Sequence, residues 1–521
     1  MKGFLEKYYG LIPLVLLCAF YIYKAINFPV HDFSNYYFGG KFLADSKFNS
    51  SIYLPYEFNK AILNLGYSGL FTSYAPNTPL LALFFYPISF LPLATAKVVF
   101  NSISVLFFIY SLNRLVLFYK INPNHVLLVP ILFFVPIKNE LLFGQVYFLL
   151  FFLLSEFWLA YEKEQPKKMA FFLSLAIFLK VFPILLIFVF VFKKQFKPVI
   201  YIAISCSLLF LISVLFTGFD IWIFYFKNVL TKAFNGEIAG AFVDNYQSVF
   251  MFLKRLMIFD EIENPDAFLN SPFLFFALTS ALKIGLIITG YFVCKRVSNS
   301  LFVFSYWILT TILISPYGST YTFILLLFPF FVLAKSDISK VKKVIFLSLL
   351  LLINNLPLVI FNANRFPFSY LRLFALVLFF ILFLSLIYRK VNWKIITLST
   401  ILPCLLIALF KKSEIVNSTY FLHKNAPILV YDYKILNNQL TYFYWTEKGG
   451  KTASIALKTQ TVIKVELKNN QIFYNKKQFT FDKSNKLKPM LINNKKLIYL
   501  SDYDRGIGFY ALRELNLNLE K

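Results

Sequence analysis

The chain has 521 residues, 59% of them hydrophobic and only 15% charged, a balance that excludes an ordinary soluble globular domain. Lys and Arg outnumber Asp and Glu by 52 to 25, a net charge of +27; in so apolar a chain this excess marks cytoplasmic loops beside anionic headgroups, and nucleic acid is excluded as a partner. Cys18, Cys206, Cys294 and Cys404 lie far apart in apolar runs and His31, His125 and His423 are as scattered, so neither a disulfide framework nor a metal site is expected.

Tyr8 to Ile26 reads as the first membrane helix. Lys2 and Lys7 precede it, no small-residue cleavage site follows, and Leu16-Leu17-Cys18 lacks the small residue of a lipoprotein signal, so it stays uncleaved with the N-terminus in the cytoplasm. A long outer loop, residues 27–76, comes next. It opens Phe28-Pro29-Val30-His31-Asp32-Phe33-Ser34-Asn35-Tyr36-Tyr37 and closes Phe71-Thr72-Ser73-Tyr74-Ala75-Pro76. Asn77 to Leu93 is read as a re-entrant or interfacial piece, because a full span there breaks the parity of the topology. Met169 to Phe192 is basic at both ends and is therefore split at Leu179-Lys180-Val181-Phe182-Pro183 into two short helices, with Lys180 toward the outer side. The basic clusters at Lys193 to Lys197, Lys295-Arg296, Lys335 to Lys343 and Arg389 to Lys394 are cytoplasmic. The loops around Asp220 to Ser271, Ser315 to Gly318 and Asn362 to Tyr370 then face the same side as Asp32.

The expectation is an all-α polytopic membrane protein with roughly 13 transmembrane helices of the ~20-residue class, several of them short. The odd number leaves the C-terminus outside. From about Lys411 the composition turns to Lys, Asn, Tyr and Thr, with alternating runs at Thr461 to Leu467 and Gln471 to Phe481, which divides the chain into a membrane domain, 1–411, and a small, soluble, extracytoplasmic β-rich domain, 412–521. Gly450-Lys451-Thr452 imitates the end of a phosphate-binding loop, but Trp445 occupies the required glycine position, so the triplet is read as a hairpin turn.

A carboxylate at the membrane edge is costly and marks a functional site. Asp32 stands where the first helix leaves the bilayer, able to take a proton from a hydroxyl whose reaction partner is dissolved in lipid, which points to a membrane-embedded glycosyltransferase with Asp32 as catalytic base. Lys180 is a cation in an apolar stretch, and Lys254 and Arg255 lie on a short amphipathic segment expected at the interface. Lys180 and Arg255 are the candidates for neutralising a leaving phosphate; Gln145, in Phe143-Gly144-Gln145-Val146, can hold a sugar hydroxyl. The outer loops of the membrane part have no Asp-X-Asp pair, the nearest approach being Glu261-Ile262-Glu263, read as a solvated loop face. This favours a metal-independent reaction with a polyprenyl-phosphate sugar over a nucleotide sugar.

In order, Val30-His31-Asp32-Phe33 with Tyr36-Tyr37, Tyr74-Ala75-Pro76, Gly144-Gln145, Phe178 to Pro183 around Lys180, Asn245-Tyr246-Gln247-Ser248 and Ile314-Ser315-Pro316 resemble glycosyltransferase family 87, over roughly Asp32 to Phe330. The resemblance implies a GT-C fold with the active site on the outer face of the cytoplasmic membrane and an inverting displacement by a polyprenyl-phosphate-mannose-dependent α-mannosyltransferase without cofactor. It implies Asp32 as general base, with Tyr36, Tyr37, Tyr74, Gln145, Lys180, Gln247, Arg255, Ser315 and Tyr321 on the substrates, a lipid-linked donor and a lipid or glycan acceptor. The family often carries a histidine after the Ser-Pro pair; here Tyr317-Gly318-Ser319-Thr320-Tyr321 has none, and Tyr321 is the substitute donor of a hydrogen bond. The alternatives are a transporter or flippase for a lipid-linked glycan, against which the missing internal repeat counts, and a polymerase or ligase of surface polysaccharide.

Overall fold

The computed structural model describes residues 9–237, 239–243, 245–387, 393–410, 418–422, 426–457 and 461–517; Lys2, Lys7, Arg389-Lys390, His423 and the 411/412 boundary lie outside the described residues. Helix α1 (Ile12–Ile26) starts on Pro13, whose missing N–H costs nothing in a first turn. The outer loop is mostly helical, with α2 (Phe33–Ala44) and α3 (Pro55–Asn64). Tyr36, Tyr37, Phe38, Phe42 and Phe58 from these helices enter the main core, so the loop is a packed layer on the helical body. Asn77 to Leu93 forms only α4 (Pro79–Phe85) and a short 3-10 turn, far below the length that spans a bilayer.

Then follow α5 (Leu93–Phe118), α6 (Phe134–Phe143), α7 (Tyr147–Glu162) and α8 (Pro166–Leu179), which ends at Lys180 before a 3-10 turn, Phe182–Leu186, and a six-residue helix, Ile187–Phe192. The helix therefore breaks at the expected place, where Pro183 lacks the N–H a continuing helix needs. Helices α9 (Phe196–Thr217), α10 (Val249–Met257), α11 (Pro272–Arg296) and α12 (Ser300–Ile314) complete the central part.

Among the described residues 5 helices are long and apolar enough to cross a membrane, or 6 when the pair Pro123–Leu132 and Phe134–Phe143, bent by 63°, counts as one span. The chain is thus a multi-pass membrane protein in which the expected thirteen spans are not reached. The difference lies in broken apolar runs such as Phe182–Phe192, Ser300–Ile314 and Thr320–Lys335, which hydropathy alone cannot distinguish from spans.

The C-terminal region is β-rich. In chain order its main strands are β1 (Thr419–Tyr420), β2 (Val430–Leu436), β3 (Gln439–Thr446), β4 (Gly449–Ala456), β5 (Val462–Lys464), β6 (Glu466–Lys468), β7 (Gln471–Tyr474), β8 (Lys477–Gln478), β9 (Lys486–Ile492), β10 (Lys496–Ser501) and β11 (Ala511–Asn516). They form a five-stranded sheet, β1-β11-β10-β9-β5, and two three-stranded ones, β2-β3-β4 and β6-β7-β8. Gly450-Lys451-Thr452 is not itself the hairpin turn: the turn is Glu447-Lys448, and the triplet begins the returning strand opposite Trp445, Tyr444 and Phe443.

The loop 502–509 of this region is pinned onto the helical part. Lys232 Nζ is 3.3 Å from Asp502 Oδ1 and 3.0 Å from Glu237 Oε2, and donates to the carbonyls of Asp502 and Arg505 at 3.0 and 2.9 Å. Burial alone would lower the pKa of the Lys232 ammonium, but Asp502 and Glu237 outweigh it and raise the value above the ordinary one. Lys254 Nζ reaches Asp504 Oδ1 at 2.7 Å, and Tyr56 stacks on Tyr431 with centroids 4.0 Å apart. Asp502-Tyr503-Asp504 has the spacing of a carboxylate clamp, yet each carboxylate is held by a lysine of the helical part.

Candidate functional site

Asp32 is the residue before the first turn of α2, on a bend where His31 takes a φ of 46° and its carbonyl accepts the Ser34 hydroxyl at 2.6 Å. An aspartate there commonly caps its own helix. Here the side chain turns away and makes no capping bond; its Oδ2 accepts from Gln145 Nε2 at 2.6 Å. Tyr36 lies one turn on, on the same helix face, and donates its hydroxyl to Gln145 Oε1 at 2.6 Å. The carboxylate can only accept, so the amide has one consistent orientation and both of its ends are used. Among the described residues no hydrogen bond reaches Asp32 Oδ1.

Backbone geometry puts Gln145 there. Gly144 closes α6 with φ 67°, and a Cβ on it would sit 2.7 Å from the Cβ of Phe33, the neighbour of Asp32. Only glycine allows α6 to end so close to α2. Glu140, buried in the last turn of α6, accepts the Phe148 N–H at 2.9 Å and so places a carboxylate at the start of α7, where the helix dipole favours it. Lys97, 2% exposed on α5, donates to the carbonyls of Pro29 and Leu142 at 2.9 and 2.6 Å, tying the approach to Asp32 to the end of α6.

Lys180 completes the cluster. Its ammonium lies 3.5 Å from both the Tyr36 hydroxyl and Asn77 Oδ1, over the Tyr36 ring at 5.6 Å and the Tyr147 ring at 5.8 Å. Tyr147 in turn meets Tyr321, their centroids 5.2 Å apart. Asp32 is close enough to act electrostatically on Lys97, Lys180, Glu140, Tyr36, Tyr147, Tyr246 and Tyr321, which makes it the hub of the group.

The remaining sequence candidates lie elsewhere. Tyr37 donates to the Leu91 carbonyl at 2.9 Å and Tyr74 to that of Thr78 at 3.0 Å; both are buried and hold the outer layer together. Gln247 donates to the Ser369 carbonyl at 3.0 Å, and Ser315 Oγ accepts the Tyr317 N–H at 3.1 Å. These two belong to a joint where the Gln247 backbone presses on Gly318, so tightly that a Cβ there would meet it at 2.5 Å. Lys254 and Arg255 do not face lipid headgroups: both are buried, Lys254 bound to Asp504 and Arg255 over the Phe242 ring at 5.5 Å. The amphipathic pattern of α10 arises because its polar face meets the C-terminal loop. Glu263 is likewise engaged, accepting the Phe242 N–H at 3.0 Å.

Sequence reasoning missed Glu140, Lys97, Asn77 and Tyr147. For the first two a signal existed, a charge inside an apolar helix, the same one that singled out Lys180.

The chemistry of such a cluster is a carboxylate with one oxygen held and one open, beside a cation. Residues 75–316 match the model of glycosyltransferase family 87. The match makes a membrane glycosyltransferase the supported reading, with a sugar donor and an acceptor as its substrates. Gln145, Lys180, Gln247, Arg255 and Ser315 lie inside the family 87 match, whereas Asp32, Tyr36, Tyr37, Tyr74 and Tyr321 lie outside it. No curated protein matches the chain.

Proposed function

We propose that this protein transfers a hexose, with mannose the first candidate, from a polyprenyl-phosphate sugar to a lipid or glycan acceptor at the outer face of the cytoplasmic membrane. Asp32 Oδ1 takes the proton of the acceptor hydroxyl as its oxygen attacks the anomeric carbon. The bond from that carbon to the phosphate oxygen breaks on the opposite side, inverting the configuration, and the electron pair leaves with the polyprenyl phosphate. Lys180, carried by the break after α8, supplies the positive charge toward which that phosphate develops. Gln145 and Tyr36 fix the carboxylate, so that its reorientation costs nothing in the transition state.

The observation that carries this reading is the Gln145 bridge between Asp32 and Tyr36 beside Lys180, in a chain whose residues 75–316 match a glycosyltransferase family. The test is a donor panel with purified protein in proteoliposomes. Polyprenyl-phosphate mannose and glucose are compared with GDP-mannose and UDP-glucose, with and without chelator. Transfer from a polyprenyl-phosphate sugar that survives chelation is expected. Transfer from a nucleotide sugar alone, or its loss on chelation, contradicts the donor assignment.

A further inference from the structure

Beside the Asp32 bend, an open groove of roughly 390 Å3 runs between α1 and α6, of the size that lodges a small molecule or headgroup. Phe20 and Lys24 from α1, Phe28 after it, and Lys138 and Leu142 from α6 line it. Its two charged residues are both lysines. Lys24 is exposed, its ammonium 5.5 Å from the Phe20 ring centre; Lys138 is half-buried in the middle of an apolar helix. Neither has an ion pair or a hydrogen bond from its ammonium among the described residues. Two lysines without a carboxylate partner among the described residues make this groove cationic, the kind of surface that attracts a phosphate headgroup.

The groove is also contiguous with the site. Phe28 meets the His31 ring at 5.3 Å, His31 meets Phe143 at 5.0 Å, and the Leu142 carbonyl is one of the two held by Lys97. From Asp32, Lys180 is reached through Gln145 and Tyr36, whereas the groove is reached through His31 and Phe28. An inverting displacement needs donor phosphate and acceptor on different sides of the sugar, with the base on the acceptor side. The outward face of α1, with Leu16, Phe20, Tyr23 and Ile26 exposed, gives the groove an apolar flank on which acyl chains can lie.

We propose that this groove docks the anionic phosphate headgroup of a lipid acceptor, with Lys24 and Lys138 on the phosphate and the headgroup hydroxyl led past Phe28 to Asp32. The assignment rests on Asp32 as base and narrows the acceptor from lipid or glycan to an anionic phospholipid. The test uses a photoactivatable phosphatidylglycerol in phosphatidylcholine nanodiscs carrying the full-length protein, with labelling of the α1 and α6 peptides read by mass spectrometry. A Lys24→Gln/Lys138→Gln variant should lose labelling there about tenfold or more, since each lysine near a headgroup contributes roughly fivefold. Lys24→Arg/Lys138→Arg should retain it, which separates lost charge from misfolding, and Asp32→Asn should leave it unchanged while abolishing transfer. In the transfer assay added phosphatidylglycerol should raise the KM for acceptor in the native protein but not in the Gln variant. Equal labelling by a phosphatidylcholine probe, or unchanged labelling in the Gln variant, overturns the site. Displacement of the label by polyprenyl phosphate overturns the acceptor assignment by giving the groove to the donor. Normal transfer by Asp32→Asn with the labelling pattern intact would instead remove the base and leave the groove standing.

Discussion

Gly144→Ala is the smallest change that should disturb the reaction without touching a polar group. The residue has φ 67°, and placing a non-glycine there costs about 1–2 kcal/mol. The new methyl would also lie 2.7 Å from Phe33 Cβ, against an ordinary carbon contact of roughly 3.5–4.0 Å, so a gap of about 1 Å must open between the end of α6 and the start of α2. Gln145 is on one side of that gap and Asp32 on the other, each one residue away. A displacement of about 1 Å at a catalytic group can cost ~100-fold in rate. Gly66→Ala is the control, because Gly66 has φ 89° and open space around its missing Cβ. Gly66→Ala should lose about 1–2 kcal/mol of stability in denaturant unfolding and Gly144→Ala about 1–3 kcal/mol more for its overpacked contact, but only Gly144→Ala should lose kcat, by ~10–100-fold. A Gly144→Ala enzyme with the kcat of Gly66→Ala would refute the claim that this contact sets the Asp32 geometry.

Replacing Gln145 by Leu keeps the volume but leaves Asp32 Oδ2 and the Tyr36 hydroxyl without their shared partner; unmade buried hydrogen bonds cost about 1–3 kcal/mol each, and kcat should fall while the KM for donor changes little. A rise in KM alone would make Gln145 a sugar ligand, as its sequence context first suggests. Lys232→Met removes the counter-ion of the fully buried Asp502 carboxylate, leaving it only the hydrogen bonds from Asn485 and Gly508, and should cost about 3 kcal/mol, seen as faster proteolysis of the C-terminal region; adding Asp502→Asn should recover part of it. Because the Lys232 pKa is raised by its acid partners, this anchoring is fully present below the unfolded lysine value of about 10.4 and is lost only as pH rises through the still higher folded one, so docking should be constant from pH 6 to about 10 and weaken only above. Weakening already between pH 6 and 8 would assign the anchoring to other groups.

Much of this arrangement was legible in local pattern. A carboxylate at a helix exit, a lysine before Val-Phe-Pro and a glutamine after a glycine each stand out because they break an apolar run; Asp32 and Gln145 meet directly, and Lys180 joins them through the Tyr36 hydroxyl. What stayed hidden has two physical causes. Glu140 and Lys97 each stand out as a charge inside an apolar helix, but they spend their polar groups on backbone partners 8 to 68 residues away, so nothing adjacent in sequence shows what they hold. Tyr37 and Tyr74 share the outer loop with Tyr36 but spend their hydroxyls on the backbone carbonyls of Leu91 and Thr78, partners that no local pattern marks. The docking of Asp502 and Asp504 onto Lys232 and Lys254 joins residues 250 or more apart, and it turns an apparent lipid-binding face of α10 into an internal joint. Span counting failed to reach its total for a related reason: burial inside protein and burial in lipid select the same residues.

The most direct measurement is sugar transfer from radiolabelled polyprenyl-phosphate mannose into membrane lipids, comparing the native protein with Asp32→Asn at equal expression. Asparagine preserves size and the hydrogen bond to Gln145 while removing basicity. Loss of general-base catalysis is expected to lower transfer by at least ~100-fold with folding intact; equal transfer by the two proteins would remove Asp32 from the mechanism and with it the centre of this account.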